Sequence, residues 1–408
     1  MTRQPIQIWK NPHRSQHYDT ELKQILNRER ATAVMSELSS WPGYEPTPLR
    51  SLPGLSQALG VTQIGYKDEA TRFGMGSFKA LGGAYAVMRQ VAQYLQVTTG
   101  DPDISLEDVR SGRYAKQISD LVVTTATDGN HGRSVAWGAQ QAGCTCVIFI
   151  HEGVSEEREQ AIAQFGARVE RIPGNYDSSV RWADAQSAAN NWVLIADTSY
   201  PGYTEIPCDV MQGYSVMAEE ALQQWQALWS EAGPTHVFVQ AGVGGLAAAI
   251  CAHLWECLGD RRPIFIVVEP ENSACLYETA QQDQLVDVSG SLDTLMGCLS
   301  AGRASLLAWD ILRAGADFFV TIPDAAAAAT MRVLAQGTGG DRPIIAGESG
   351  AAGMAALLTI AKQSGLRSQI QLEADSRVLL FGTEGAMDPK SYAQIVGKTP
   401  SQVAELCQ

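Results

Sequence analysis

Three short segments place chemically capable residues in turns. The first is Gly74-Met-Gly-Ser-Phe-Lys79, a glycine-rich turn opening onto the helical stretch Ala80–Val91. The positive end of a helix dipole favours the neutral, nucleophilic form of a lysine amine, which suits imine formation with a carbonyl. The second is Thr127-Asp-Gly-Asn-His-Gly132, directly after the apolar run Leu121–Thr125. Backbone N–H groups at such a helix start face anions, and Asn130 adds an amide. The third is Gly242-Val-Gly-Gly-Leu246, between Thr235–Val239 and an alanine-rich helix. Glycine lets backbone amides approach a phosphate closely. Taken singly, each has a plainer reading: a solvated helix lysine, a capping Asp128, a structural His131. Taken together they suit a covalently held aldehyde cofactor that carries a phosphate.

The third segment also matches Gly-x-Gly-x-x-Ala, through Gly242, Gly244 and Ala247, with Glu269 closing the next strand. A nicotinamide-binding oxidoreductase is therefore a rival, although the spacing to Glu269 exceeds the usual ~20 residues. No P-loop spacing is present, and the scattered cysteines form no C-x-x-C, so no metal site is expected. His13 and His17 have helix-compatible spacing, but their polar N-terminal context favours a metal-free tail.

Elements able to position these turns follow from the hydrophobic pattern. Apolar runs at Leu121–Thr125, Cys146–Ile150, Val169–Ile172 and Trp192–Ala196 alternate with helical stretches. Ser155 is the expected N-cap of one such helix, and Gly166 its end. The second half repeats the alternation with Thr235–Val239, Ile264–Val268, Phe318–Ile322 and Arg377–Phe381, and Glu348-Ser349-Gly350 is expected to begin a helix. Near-continuous apolar strands alternating with helices predict an α/β protein with parallel sheets. In such sheets ligands bind at the carboxyl ends of strands, so the turns after Leu121–Thr125 and Thr235–Val239 are where chemistry is expected.

Composition narrows the classes. The 408 residues include 44 acidic and 30 basic side chains, for a net charge of −14. That balance offers no footprint for nucleic acid or anionic lipid. The N-terminus shows no signal peptide, and the charge-free run Val237–Trp255 is broken by glycines, as a buried strand–turn–helix would be. The eight cysteines read as reduced residues of a cytoplasmic protein. Length and the two strand–helix sets predict two domains, with a turn-rich junction near Pro201–Pro207.

In their order along the chain, Gly-Ser-Phe-Lys79, Asp128-Gly-Asn-His-Gly132, Asp197-Thr-Ser-Tyr-Pro-Gly-Tyr-Thr-Glu-Ile-Pro207, Gly242-Val-Gly-Gly-Leu246 and Phe381-Gly-Thr-Glu-Gly-Ala-Met387 resemble the fold-type II pyridoxal-phosphate enzymes. That class contains the tryptophan synthase β-subunit and the serine/threonine dehydratases. The likeness runs from about Tyr44 to Asp388 and is greatest to the diaminopropionate ammonia-lyases. It implies a large cofactor-binding domain, 1–92 with 206–408, and a small inserted α/β domain, 93–205, with pyridoxal 5'-phosphate in the cleft between them. It implies that Lys79 forms the imine with the cofactor, next to Phe78, and that Asn130 bonds the phenolic oxygen. Gly242, Val243, Gly244, Gly245 and Leu246 would hold the phosphate, and Thr383 would face the pyridine nitrogen. A homodimer acting on a small amino acid, with no nucleic-acid or membrane partner, is also implied.

One residue departs from the dehydratase pattern. Where those enzymes carry serine or another small residue, this chain has Asp128. A further anion beside an anionic cofactor and a substrate carboxylate is costly unless the substrate brings a cation. A β-ammonium group would supply it. The expected reaction is thus α,β-elimination of 2,3-diaminopropionate through an aminoacrylate to pyruvate and ammonia. The resemblance implies tolerance of both the L- and D-isomers, which Lys79 and Asp128 as bases on opposite faces would explain. Asp197 is a second candidate for the β-ammonium, or else a strand-end cap. A serine/threonine dehydratase or threonine synthase-like enzyme on the same fold is the nearest alternative.

Overall fold

The computed structural model describes residues 6–127, 129–229 and 233–406. These residues contain eleven strands: β1 (Gln7–Lys10), β2 (Leu49–Ser51), β3 (Gln63–Asp68), β4 (Val122–Ala126), β5 (Thr145–His151), β6 (Arg168–Ile172), β7 (Val193–Leu194), β8 (His236–Gln240), β9 (Ile264–Pro270), β10 (Phe318–Ile322) and β11 (Arg377–Gly382). They form two sheets, and helices connect most of them in the expected α/β alternation.

The larger sheet has the order β1-β10-β9-β8-β11-β3-β2. Its five inner strands are parallel, with Phe318 opposite Ile266, His236 opposite Ile264 and Arg377 opposite Gln63. β1 and β2 run antiparallel on the two edges. Strands β8 and β10 are buried at every position, as expected when helices cover both faces of a parallel sheet. Phe238, Ile266, Val320, Met331, Met354 and Leu380 belong to the core between sheet and helices. The charge-free run Val237–Trp255 is β8, the glycine turn and most of the helix Gly245–Leu258. No helix among the described residues is long and apolar enough to cross a membrane.

The smaller sheet, β6-β5-β4-β7, is parallel throughout. Ser155 caps its helix as expected, accepting from the Arg158 N–H, but the apolar run 192–196 contributes only the two-residue β7. Glu348 does not begin a helix. The helix there is Ala352–Ala361, and the Glu348 carboxylate instead accepts from the Ser391 hydroxyl at 2.8 Å.

The chain divides into two compact units, Met1–Ala31 with Glu45–Ser77 and Ser215–Gln408, and Thr32–Tyr44 with Phe78–Tyr214. The expected boundaries at 92/93 and 205/206 thus move to 77/78 and 214/215. The reason is helix packing within the smaller unit. The helix Ala80–Thr99 is continuous and lies against Asn130–Ala142 and the start of Glu205–Trp229. Glycines make the approach possible: a Cβ on Gly138 would lie 2.7 Å from the Ala84 Cα, and one on Gly213 2.0 Å from the Leu81 carbonyl oxygen.

Candidate active site

The candidate residues fall into two clusters, one in each unit. In the smaller unit, Lys79 is the N-cap residue of the helix Ala80–Thr99. Its backbone carbonyl accepts from the Ser134 hydroxyl at 2.8 Å, and the same hydroxyl accepts from the Ala84 N–H at 3.0 Å. Ser134 therefore fastens the lysine's turn to the neighbouring helix. Gly83 leaves room for it, since a Cβ there would lie 2.5 Å from the Ser134 Oγ. The Lys79 Nζ sits 5.4 Å from the ring centroid of Phe78 and 5.7 Å from that of Tyr214.

The lysine amine donates to the Asp197 Oδ2 at 2.6 Å, with both side chains 17% exposed. Burial alone would raise the Asp197 carboxyl, but the adjacent Lys79 charge, with His131 beside it, holds it far below the usual carboxylate range. Asp197 is therefore an anion paired with the lysine. The carboxylate also opposes the bias toward a neutral amine expected from the helix start, because an adjacent anion favours the ammonium.

His131 was expected to be structural from its sequence position alone. Its Nε2 lies 2.7 Å from the Ile195 carbonyl oxygen and donates there, which leaves Nδ1 facing the Asp197 Oδ2 at 3.8 Å. That Nδ1 is buried without a hydrogen-bond partner. Burial lowers the imidazole pKa, and Lys79 lowers it further against the pull of Asp197. Burial and the adjacent lysine thus both disfavour the imidazolium beside the ion pair. Asn130 is buried and opens the helix Asn130–Ala142, whose first turn is fixed by the Thr127 hydroxyl, an acceptor for the Gly129 and Gly132 N–H groups at 3.0 Å each. Asp128 lies outside the described residues.

In the larger unit, the loop Gly242–Leu246 follows β8 and leads into the helix Gly245–Leu258. Gly244 is left-handed at φ +98°, and no side chain caps this helix. The first N–H groups of a helix have no intrahelical partners, so an uncapped start with the dipole's positive end suits a phosphate. The loop is closely bounded. A Cβ on Gly242 would lie 3.3 Å from the Cys298 carbonyl oxygen, and one on Gly244 3.1 Å from Leu276. The Ser305 N–H fixes the Val243 carbonyl at 2.8 Å. Thr383, directly after β11, is buried and accepts from the Gln240 amide at 2.8 Å, and the same amide donates to the Phe381 carbonyl at 2.8 Å. Gln240 was not anticipated. Its position at the end of β8, ahead of the glycine loop, was the available signal.

Glu269 is fully buried, and its two oxygens accept from the Leu276 and Tyr277 N–H groups at 2.8 and 2.7 Å. It starts the helix Cys275–Gln282, and its full burial closes it to a ribose. The nicotinamide alternative loses its key residue. Cys275 and Cys298 are separate thiols: one donates to the Gly242 carbonyl at 3.4 Å, the other to the Glu384 Oε2 at 3.4 Å.

Comparison with known proteins supplies an independent finding. The family model described as "Pyridoxal-phosphate dependent enzyme" matches residues 40–381. The chain is 39% identical over 378 residues to the diaminopropionate ammonia-lyase of Salmonella typhimurium, covering 91% of this chain and 93% of that one. It is 36% identical over 392 residues to the diaminopropionate ammonia-lyase of Escherichia coli K12, covering 95% and 96%. Crystal structures of the E. coli enzyme with D-serine and with an aminoacrylate-PLP azomethine reaction intermediate align over 96% of both chains, with TM-scores of 0.87 and 0.85 and identities of 34% and 35%.

Proposed function

This chain belongs to the pyridoxal-phosphate dependent enzyme family, and on that premise we propose that it eliminates ammonia from D- and L-2,3-diaminopropionate. With one water consumed, the products are pyruvate and two molecules of ammonia. The residues fit the cofactor: a partly buried lysine amine suits its aldehyde, and a glycine-rich helix start with no side-chain cap suits its phosphate. In this reading Lys79 holds the aldehyde beside Phe78, Gly242–Leu246 the phosphate, Asn130 the phenolic oxygen and Thr383 the pyridine nitrogen. Bound pyridoxal phosphate supplies an electron sink that acidifies the α-C–H of an amino acid joined to it.

The chain's own residues supply the rest. With the cofactor bound, Lys79 would take the α-proton on one face, and Asp128 would take it on the other for the opposite isomer. Asp197 receives the β-ammonium. The observation that carries this reading is the Lys79–Asp197 pair, a largely shielded carboxylate already matched to an ammonium at 2.6 Å. When the lysine is engaged elsewhere, that carboxylate requires another cation, because an unpaired buried charge is costly. The β-ammonium of diaminopropionate provides one, whereas the hydroxyl of serine does not.

The same reading takes the protein to be a cytoplasmic homodimer. The separate partners of the Cys275 and Cys298 thiols are consistent with a reducing compartment. The deciding experiment measures pyruvate release from D- and L-2,3-diaminopropionate beside L-serine. Faster turnover of L-serine overturns the substrate and leaves the cofactor intact. Asp128→Asn is expected to impair one isomer more than the other, and equal loss on both removes the two-face assignment.

A further inference from the structure

A third cluster lies in the larger unit and plays no part in the reaction above. His253 and Cys257 are four residues apart on the helix Gly245–Leu258, so both project from one face. Glu219, on the helix Glu205–Trp229, meets them. The His253 Nε2 lies 2.8 Å from the Glu219 Oε2 and 3.5 Å from the Cys257 Sγ. The histidine is buried, whereas Glu219 and Cys257 keep partial access to solvent.

Thiol, imidazole and carboxylate together suggest a nucleophilic triad, but the geometry rejects one. In a triad the nucleophile and the carboxylate take opposite ring nitrogens. Here both approach Nε2, and the Nδ1 on the other side is buried without a partner. The donor atoms of all three residues instead converge on one point and lie within 4.8 Å of one another. Ligands at ~2.0 to 2.3 Å around a tetrahedral ion stand about 3.3 to 3.8 Å apart, so a small outward rotation of the partly exposed Glu219 opens the space.

We propose that Glu219, His253 and Cys257 form a site for a zinc-class divalent transition ion, with the fourth position open to solvent. One nitrogen, one sulfur and one carboxylate oxygen suit a borderline-soft ion and not calcium or magnesium, which take oxygen ligands. Cys257 lies 13 residues beyond Gly244, roughly 20 Å along the helix, so the ion does not touch the reacting atoms. It braces that helix, which begins at the glycine loop, against the long helix Glu205–Trp229. One of the three ligands comes from a distant helix, so the cluster leaves no metal-ligand spacing in the chain.

The test uses the cofactor-loaded enzyme, stripped of metal with chelator and titrated calorimetrically with zinc chloride. One equivalent per chain is expected, with a higher melting temperature and an elimination rate unchanged within twofold. Cys257→Ser and Glu219→Gln should each weaken binding at least tenfold, and both sites are exposed enough for the variants to fold. X-ray absorption of the zinc-loaded wild type should show one sulfur at ~2.3 Å among nitrogen and oxygen at ~2.0 Å. Absence of stoichiometric binding, wild-type affinity retained in both variants, or a shell without sulfur would each overturn the proposal.

Discussion

The Lys79 amine and the Asp197 carboxylate are 118 positions apart in the chain and 2.6 Å apart in space, within one compact unit. The pair is shielded enough for each charge to depend on the other. Losing the carboxylate should therefore alter substrate choice as well as rate.

Asp197→Asn keeps the shape and removes the charge. A hydrogen bond to a charged group contributes about 1.5–3 kcal/mol, so kcat/KM for 2,3-diaminopropionate should fall roughly 10- to 150-fold. Any L-serine turnover should fall less, because its hydroxyl does not need the anion. Steady-state kinetics on both substrates check this, and an equal loss on the two would remove Asp197 from substrate recognition.

Acid should weaken the fold through buried histidines. Burial lowers the pKa of His131 and of His236, whose Nε2 lies 3.0 Å from the Ile370 carbonyl oxygen. A histidine depressed in the native state gives stability that is fully present above its unfolded pKa of about 6.5 and lost as pH falls toward the folded value. This histidine contribution to the urea midpoint should therefore fall between pH 7.5 and pH 5, against the opposite trend of Glu269, whose carboxyl burial pushes up to about 8. His236→Gln, which keeps a donor and removes the titration, should flatten the slope by at most about 1.4 kcal/mol per pH unit. An unchanged slope would assign the acid sensitivity to other groups.

In the larger unit, Glu220 accepts from Lys67 Nζ at 2.5 Å and from both terminal nitrogens of Arg72 at 2.7 Å each. Arg72 also bonds Glu69 at 2.8 Å, so two buried cations meet two buried anions. Glu220→Gln leaves one cation in excess and should cost about 3–5 kcal/mol by chemical denaturation. The segment it anchors runs through Phe73, left-handed at φ +50°, into the glycine-rich turn before Lys79. Cofactor retention should weaken in the same variant, and a destabilisation below 1 kcal/mol would contradict the account.

Close helix packing in the smaller unit gives a fourth test. A Cβ at Gly213 would meet the Leu81 backbone at 2.0 Å, and neither helix can yield without moving the turn at Lys79. Gly213→Ala should destabilise by about 1–3 kcal/mol even though alanine is the better helix former. Gly365→Ala, with open space around it, provides the control.

These results separate what the sequence disclosed from what it hid. Lys79, the turn at 127–132 and the glycine loop at 242–246 were legible because each joins a local turn signal to an adjacent strand or helix. The parallel strands were legible because their apolar runs are nearly unbroken, and Phe318–Ile322 has the same limits in both readings. The pairing of Lys79 with Asp197 and the Glu220 network were not legible, because long-range charge partners leave no spacing in the chain. The unit boundary moved for a related reason. Gly82, Gly83, Gly138 and Gly213 read as ordinary helix glycines until the helices they bring together are seen.

Strand β1 also governs how the protein tolerates shortening. Its four residues pair antiparallel with β10, whose five residues are all buried. A version trimmed past Lys10 would uncover a straight, greasy ribbon of unmet amide and carbonyl groups, a ready template for sticking to other molecules. Such trimmed protein should clump rather than merely lose activity, so an affinity handle belongs ahead of Gln7 and never in place of this strand.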